Sequence, residues 1–410
     1  MTNSERSGGD VCRTIQRTIR LPGSVALSLL LAVCIGAASA QSSSCAQNIG
    51  RDFPAASLTS KNMSPAPLVD VLRRLDDQQL DVRAFLLLKD CTLVLERYKD
   101  GIGRDHSHSI YSVTKSVVST LVGVLRREGK LPDIERPIST IMPRPPGLQD
   151  AQWERASTLS LRNAMNMASG LAHVSNASVH PIYDLKIDRF GYALSQAAQN
   201  KPGTTFNYSN ADASITGAVV AGVAGQEMYA YAKSNLLDPL DMANHDWWFR
   251  DAAGRSPGGW GLRMRPIDML KLGQLYLQKG TWNGKRIFDE DYLRLAWSAG
   301  PSPGYGLYWW IGKEIAGKPV EYYAAIGNKG QRIYVFPRHG VVAALVASVP
   351  PDEEKALTAM LLPAIVAAAA PAFPGHDREA KEAELARLAR AGFHGVTRVR
   401  QSAQDLPSPP

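Results

Sequence analysis

The sequence predicts an α+β fold: an antiparallel sheet flanked by helices, with a largely helical insertion. Three observations carry that prediction. Residues 82–88 and 92–98 are apolar runs separated only by Lys89-Asp90-Cys91, which is a hairpin signal. Four more strand-like runs, 306–311, 321–326, 331–336 and 341–349, fill the C-terminal third with turn residues between them. The middle, about 130–300, is helical or loop-rich, so both ends of the chain are expected to complete one sheet.

In chain order, residues 41–67 are rich in Ser, Asn and Ala and read as an irregular lead-in to a folded domain over 68–370. Leu68, Val71, Leu72 and Leu75 have helical spacing. The hairpin follows, closed by Asp100-Gly101-Ile102-Gly103, and then a polar loop, His106-Ser107-His108-Ser109. Val117, Val118, Leu121, Val122 and Leu125 predict a helix with a buried face, ending at Arg126-Arg127-Glu128-Gly129. Residues 130–205 carry Pro132, Pro137, Pro143, Pro145 and Pro146 and read as loops with short helices at 159–169 and 188–199. Further helices are expected at 211–224, 226–237, 266–279 and 353–369, and a turn at Trp282-Asn283-Gly284-Lys285. Residues 371–410 read as a mobile tail with a short helix at 381–390.

Length and composition fit a globular protein: 410 residues, 45% hydrophobic and 20% charged. Residues 1–40 read as a signal peptide. Arg13, Arg17 and Arg20 precede an apolar run at 24–35, and Ala38-Ser39-Ala40 offers small residues for cleavage near Ala40–Gln41. The expectation is a periplasmic or secreted protein with no stable membrane span after cleavage; retention of the leader as an anchor is the alternative. The formal charge is +8, of which the leader holds four basic and two acidic residues, leaving about +6. The basic residues are scattered without aromatic interleaving, so nucleic acid is excluded as a partner. Cys45 and Cys91 remain after the leader and are expected to form a disulfide in an oxidising compartment. No His or Cys spacing suggests a metal site.

Chemistry concentrates in Ser112-Val113-Thr114-Lys115. Ser112 stands at the start of a helix, where free N–H groups favour developing negative charge. Positions i and i+3 share a face, so the Lys115 amine can approach the Ser112 hydroxyl. Burial would lower the proton affinity of that amine and make it a general base. An N-cap serine and a solvated lysine would leave the same tetrad. Tyr208-Ser209-Asn210, on a loop entering a helix, puts a phenol and a carboxamide two residues apart. A tyrosine near a lysine ammonium is easier to ionise and can exchange protons with a serine and a leaving group. A buried aromatic beside an ordinary helix cap would look the same.

Together these motifs resemble the serine β-lactamase and penicillin-binding-protein superfamily. Leu161-Arg162-Asn163-Ala164-Met165-Asn166-Met167-Ala168-Ser169-Gly170-Leu171 and Pro202-Gly203-Thr204-Thr205-Phe206-Asn207-Tyr208-Ser209-Asn210 resemble two further elements of its class C β-lactamase-related branch. Gly258-Gly259-Trp260-Gly261 and Ala325-Ile326-Gly327-Asn328-Lys329-Gly330-Gln331 look most like the 6-aminohexanoate-dimer hydrolase and esterase-like members. The resemblance implies a β-lactamase/transpeptidase-like fold and an acyl-enzyme on Ser112, with Lys115 and Tyr208 as general base and acid. It implies Asn210 as a support for Lys115 or substrate, Gly330 and Gln331 as cleft wall, and no metal or organic cofactor. The sequence departs from the family at the third motif, which lacks Lys-Thr-Gly or His-x-Gly; Lys329 or Arg332 would have to replace that carboxylate clamp. The expected function is therefore hydrolysis of a small ester or amide. A β-lactamase or D-Ala-D-Ala carboxypeptidase is the alternative, and a catalytically weak penicillin-binding sensor a further one.

Overall fold

A computed structural model describes residues 45, 48–131, 133–172, 181–247, 249–370 and 377–395. The expected leader and its cleavage site, Trp248 and the ends of the expected tail lie outside the described residues. The centre of the fold is a six-stranded antiparallel sheet of β1 (Val82–Lys89), β2 (Thr92–Tyr98), β3 (Trp310–Ile315), β4 (Lys318–Gly327), β5 (Gln331–Phe336) and β6 (Val341–Ala347). The strand order is β2-β1-β6-β5-β4-β3, so the N-terminal hairpin joins the C-terminal meander where Leu86 meets Ala344.

Alternation along each strand divides the interior in two. Leu86 and Leu88 of β1, Ile333 and Val335 of β5 and Val342 and Ala344 of β6 face one core. That core is closed by α2 (Val113–Arg127), α3 (Asn210–Ala224) and α4 (Pro266–Leu277), which place Val117, Leu121, Val219 and Leu270 in it. Phe85, Leu87, Tyr334, Phe336, Ala343 and Leu345 face the opposite core. There they meet α1 (Ala66–Asp77) and α5 (Pro351–Ala369). Among the described residues no helix is long and apolar enough to cross a membrane.

Several boundaries depart from the sequence reading. The strand expected at 306–311 lies at Trp310–Ile315. Residues before it are drawn off by Leu307 N–H bonding Ala296 O at 2.9 Å and by the left-handed Tyr308 (φ 61°). Helices at Asp150–Ser157 and Glu290–Ala296 arise where no apolar period announced them; the first starts at a capping box of Gln149 and Gln152. The expected mobile tail contains a docked element. Arg378–Ala391 forms α6, which buries Leu385, and Phe393 continues to a bridge beside Lys99. The Arg97 guanidinium holds this segment by donating to both oxygens of Asp76 (2.9 and 2.8 Å) and lying 4.0 Å from the Phe393 ring centroid. At the other end, Cys45 and Cys91 form a disulfide, fastening the lead-in to the β1–β2 turn.

Phe393 is 2% exposed. Phe393→Ala should therefore lower unfolding free energy by about 3–4 kcal/mol, read from urea midpoints. A shift under ~1 kcal/mol would mean that this segment does not share the global unfolding transition.

Candidate active site

Ser112 caps α2, and Tyr111 before it adopts a left-handed conformation (φ 46°), which turns the chain sharply from the polar loop into the helix. Every residue from Val113 to Leu125 is buried. Lys115, one turn into α2, is thereby carried inside and is 1% exposed. Its Nζ lies 3.0 Å from Ser112 Oγ, 2.7 Å from Asn210 Oδ1 and 2.8 Å from Gly259 O. All three partners are neutral. Burial alone lowers the lysine's pKa, to about 7.

Asn210 and Tyr208 flank the N-cap of α3. Ser209 Oγ accepts from Ala211 N at 3.0 Å and Asp212 N at 3.4 Å. The entering chain is braced from behind: Asn207 N bonds Met167 O at 2.7 Å, and Ser169 Oγ donates to Asp212 at 2.6 Å. The Leu161–Leu171 element thus acts as a backing for Tyr208 and Asn210. Asn210 Nδ2 donates to Tyr183 OH at 2.7 Å, which fixes its Oδ1 toward Lys115.

Tyr208 lies beside Ser112, whose hydroxyl lowers its pKa, and stacks on Trp310 at 5.9 Å, with Tyr305 edge-on at 6.1 Å. Lys115 Nζ sits 4.9 Å from its ring centroid. Burial pushes the Tyr208 phenol up to about 12, and the Ser112 hydrogen bond lowers it only in part. The sequence reading expected easier ionisation beside an ammonium. The structure reverses that expectation, because desolvation dominates and also lowers the pKa of the neighbouring lysine.

Two glycines make this closeness possible. A Cβ on Gly259 would sit 2.6 Å from Asn210 Oδ1 and 3.1 Å from Lys115 Nζ. A Cβ on Gly327, at the end of β4, would sit 2.5 Å from Ile110 O and 3.2 Å from Ser112 N. The strand edge therefore lies directly against the Ser112 amide.

The structure brings Ser112, Lys115, Tyr208 and Asn210 together, and Gly330 and Gln331 stand at the turn into β5. Gly330 (φ 96°) abuts Ala347, and Gln331 Nε2 donates to Ala347 O at 2.6 Å, so both fasten β5 to β6. Arg332 is committed to Glu354 at 2.6 Å and to the carbonyls of Gly327 and Gln331. Lys329 Nζ lies 5.4 Å from the Tyr111 ring centroid. Sequence reasoning missed Tyr183 and the Gly259 carbonyl. Tyr183 acts through a lone hydroxyl outside any motif, and Gly259, although it lies in the glycine-rich loop noted in the sequence, acts through its backbone. Among the described residues no group of His, Cys, Asp or Glu could hold a metal ion.

The Beta-lactamase family model matches residues 70–367. A 6-aminohexanoate-dimer hydrolase of Paenarthrobacter ureafaciens is 24% identical over 311 residues, 70% of this chain and 77% of that protein. Two solved structures share the fold. The octameric penicillin-binding protein homologue of Pyrococcus abyssi superposes with TM-score 0.57 at 16% identity, over 73% of this chain and 76% of the other. A D-stereospecific amidohydrolase of Streptomyces gives 0.55 at 16% identity, over 73% and 98%.

The buried amine fixes a stability prediction. Lysine keeps a pKa near 10.4 in an unfolded chain, against about 7 for folded Lys115. Between those values the unfolded state binds more protons, so folded stability rises with pH. Wild type should gain stability relative to Lys115→Met between about pH 7 and pH 10. Parallel urea midpoints for the two proteins across that window would show Lys115 titrating normally.

Proposed function

Since the chain belongs to the beta-lactamase family, we propose that it is a serine hydrolase that opens small amides or esters through an acyl-enzyme on Ser112. The observation that carries this reading is the Lys115 amine held 3.0 Å from Ser112 Oγ with its pKa lowered to about 7. A base poised near neutrality, within hydrogen-bond reach of a hydroxyl, meets the geometric and energetic conditions for proton abstraction. In this mechanism neutral Lys115 takes the Ser112 proton as Oγ attacks the substrate carbonyl. Charge develops on the carbonyl oxygen, which the Ser112 N–H and a backbone N–H at the end of β4 would receive. Tyr208, protonated at neutral pH, is suited to pass a proton to the departing amine or alkoxide. Water then attacks the acyl-enzyme with the same groups acting in reverse. No metal or organic cofactor is required.

The wall around Tyr208 is aromatic and suits the apolar part of a substrate. Trp310, Tyr305 and Phe206 cluster around Tyr208, with Phe206 5.2 Å from Tyr305 and Trp310 4.8 Å from Tyr305. Arg332 is turned into its ion pair with Glu354, so this cation does not serve a substrate carboxylate. That favours a linear amide or ester over a β-lactam or a D-Ala-D-Ala peptide. The molecule in the relative's name, a 6-aminohexanoate dimer, is a linear amide: one secondary amide between flexible methylene chains, with an ammonium at one end and a carboxylate at the other. The leader read from residues 1–40 and the Cys45–Cys91 disulfide support a periplasmic or secreted location.

The test compares p-nitrophenyl butyrate, 6-aminohexanoate dimer and nitrocefin for wild type and Ser112→Ala. Ester or linear-amide turnover should fall by about a thousandfold or more in the variant. For wild type, kcat/KM should rise with pH to a plateau as Lys115 becomes neutral near 7. Turnover that survives in Ser112→Ala would overturn the serine mechanism. Nitrocefin as the preferred substrate would overturn the assignment of substrate class, and stoichiometric labelling without turnover would make the protein a sensor.

A further inference from the structure

Arg189 opens a short helix, Arg189–Ser195, and is 2% exposed. It takes no part in the proposed chemistry, yet it touches both of the segments whose roles the sequence did not announce. Its Nε donates to Ile182 O at 2.9 Å, one residue before Tyr183. Its guanidinium carbon lies 5.3 Å from the Trp260 ring centroid, one residue after Gly259. Tyr183 OH accepts from Asn210 Nδ2 at 2.7 Å, and Gly259 O accepts from Lys115 Nζ at 2.8 Å. One side chain thus stands a single residue away from each of two groups that hold the Lys115–Asn210 pair.

The guanidinium gains little as a charge. Its Nη1 and Nη2 are buried without a hydrogen-bond partner among the described residues. Asp251 Oδ2 is 3.9 Å from Nη1 and accepts instead from the Arg189 backbone N–H at 3.2 Å. Asp251 Oδ1 accepts from Ala253 N and Arg255 N at 3.0 and 2.8 Å. Buried polar groups without partners cost stability, and an apolar side chain of similar length would avoid that cost. An apolar side chain could not, however, donate in the plane from Nε while laying a flat cationic face against an indole.

The Trp260 indole depends on such contacts. Its Nε1 is buried without a partner among the described residues, so the faces around it hold the ring. These are Phe249 at 5.1 Å, Tyr183 at 5.8 Å and the Arg189 guanidinium. Tyr183 and Trp260 therefore meet beside the same cation. Without it, the Pro181–Tyr183 turn and the Gly258–Gly261 loop lose their common anchor, and water gains access to the amine between them.

We propose that Arg189 is a positioning residue of the acylation site: it clamps the Pro181–Tyr183 turn to the Gly258–Gly261 loop, and so keeps Asn210 and the Gly259 carbonyl seated on a dry Lys115 amine. The inference rests on the hydrolytic reading of Ser112 and Lys115. Loss of the clamp lowers the rate and returns Lys115 toward ordinary proton affinity, since burial is what depresses it. The titratable groups around that amine do not carry this shift. Burial keeps the phenols of Tyr183 and Tyr208 protonated at neutral pH, and Asp212 on α3 is turned to Ser169.

The test sets Arg189→Met and Arg189→Lys beside wild type, with Ser112→Ala as the control for the reaction itself. Turnover of p-nitrophenyl butyrate by Arg189→Met should fall by about ten- to a hundredfold, chiefly in kcat. Its kcat/KM should reach a plateau at higher pH than that of wild type. Arg189→Lys keeps the charge but not the flat fork, so it should be impaired in the same sense. It carries the test if near-UV circular dichroism shows Arg189→Met unfolded. A second readout does not depend on turnover: urea midpoints with and without Lys115→Met, in the wild-type and Arg189-variant backgrounds. The stability that Lys115 adds between about pH 7 and pH 10 should shrink in the Arg189 variants and set in at higher pH. Turnover that survives in Ser112→Ala sinks the hydrolytic reading and leaves this second readout to judge Arg189. Unchanged Lys115 titration in a folded Arg189 variant, wild-type kcat in Arg189→Met, or full recovery by Arg189→Lys would each overturn the proposal.

Discussion

The structure depends on one buried amine kept away from any carboxylate. An ion pair beside Lys115 would raise the proton affinity of its amine again. Hydroxyl, carboxamide and backbone carbonyl satisfy the amine without adding charge. Asp212, two residues beyond Asn210, is the instructive neighbour. Its carboxyl is also buried and pushed up to about 7, and it is turned to Ser169 rather than to Lys115. The helix carrying Asn210 thus brings a carboxylate close to the site while pointing it elsewhere.

The rest of the fold can be understood as support for that arrangement. The sheet supplies a rigid edge at Gly327, and α2 supplies a buried helix whose first turn is pressed against it. The third contribution is the loop at Gly258 and Gly259, whose carbonyl completes the amine's partners. These pieces come from distant parts of the chain. Close backbone approaches at Gly259 and Gly327 hold them in register, and any larger side chain there would open the site by the width of a methyl group.

Much of this was legible in the sequence. Strands such as Gln331–Phe336 and helices such as Pro266–Leu277 follow apolar periods and sharp turn residues, and local chemistry dictates them. Ser112, Lys115, Tyr208 and Asn210 could be read because spacing within a helix start constrains where side chains go. Gly330 and Gln331 were harder to place. The third-motif segment sits on the right strand edge, but which face a side chain takes depends on the tight turn at Lys329 (φ 63°). Tyr183 left no signal, and Gly259 only that of its glycine-rich loop, since tertiary placement gives the hydroxyl and the carbonyl their partners. The docked Arg378–Ala391 helix was read as a tail because its exposed face is strongly charged and its few apolar residues, Leu385 among them, meet the sheet only through folding.

The strand order has a kinetic meaning. Val82 pairs with Ala347, so the hairpin formed first during synthesis waits for the last strand before one edge of β1 is covered. Contacts of such long sequence separation are slow to form, because the loop between them must be closed before they return any energy. The growing chain therefore stays uncommitted for most of its elongation, with the apolar residues of β1 unshielded. Its architecture makes closure of the sheet one late, cooperative step.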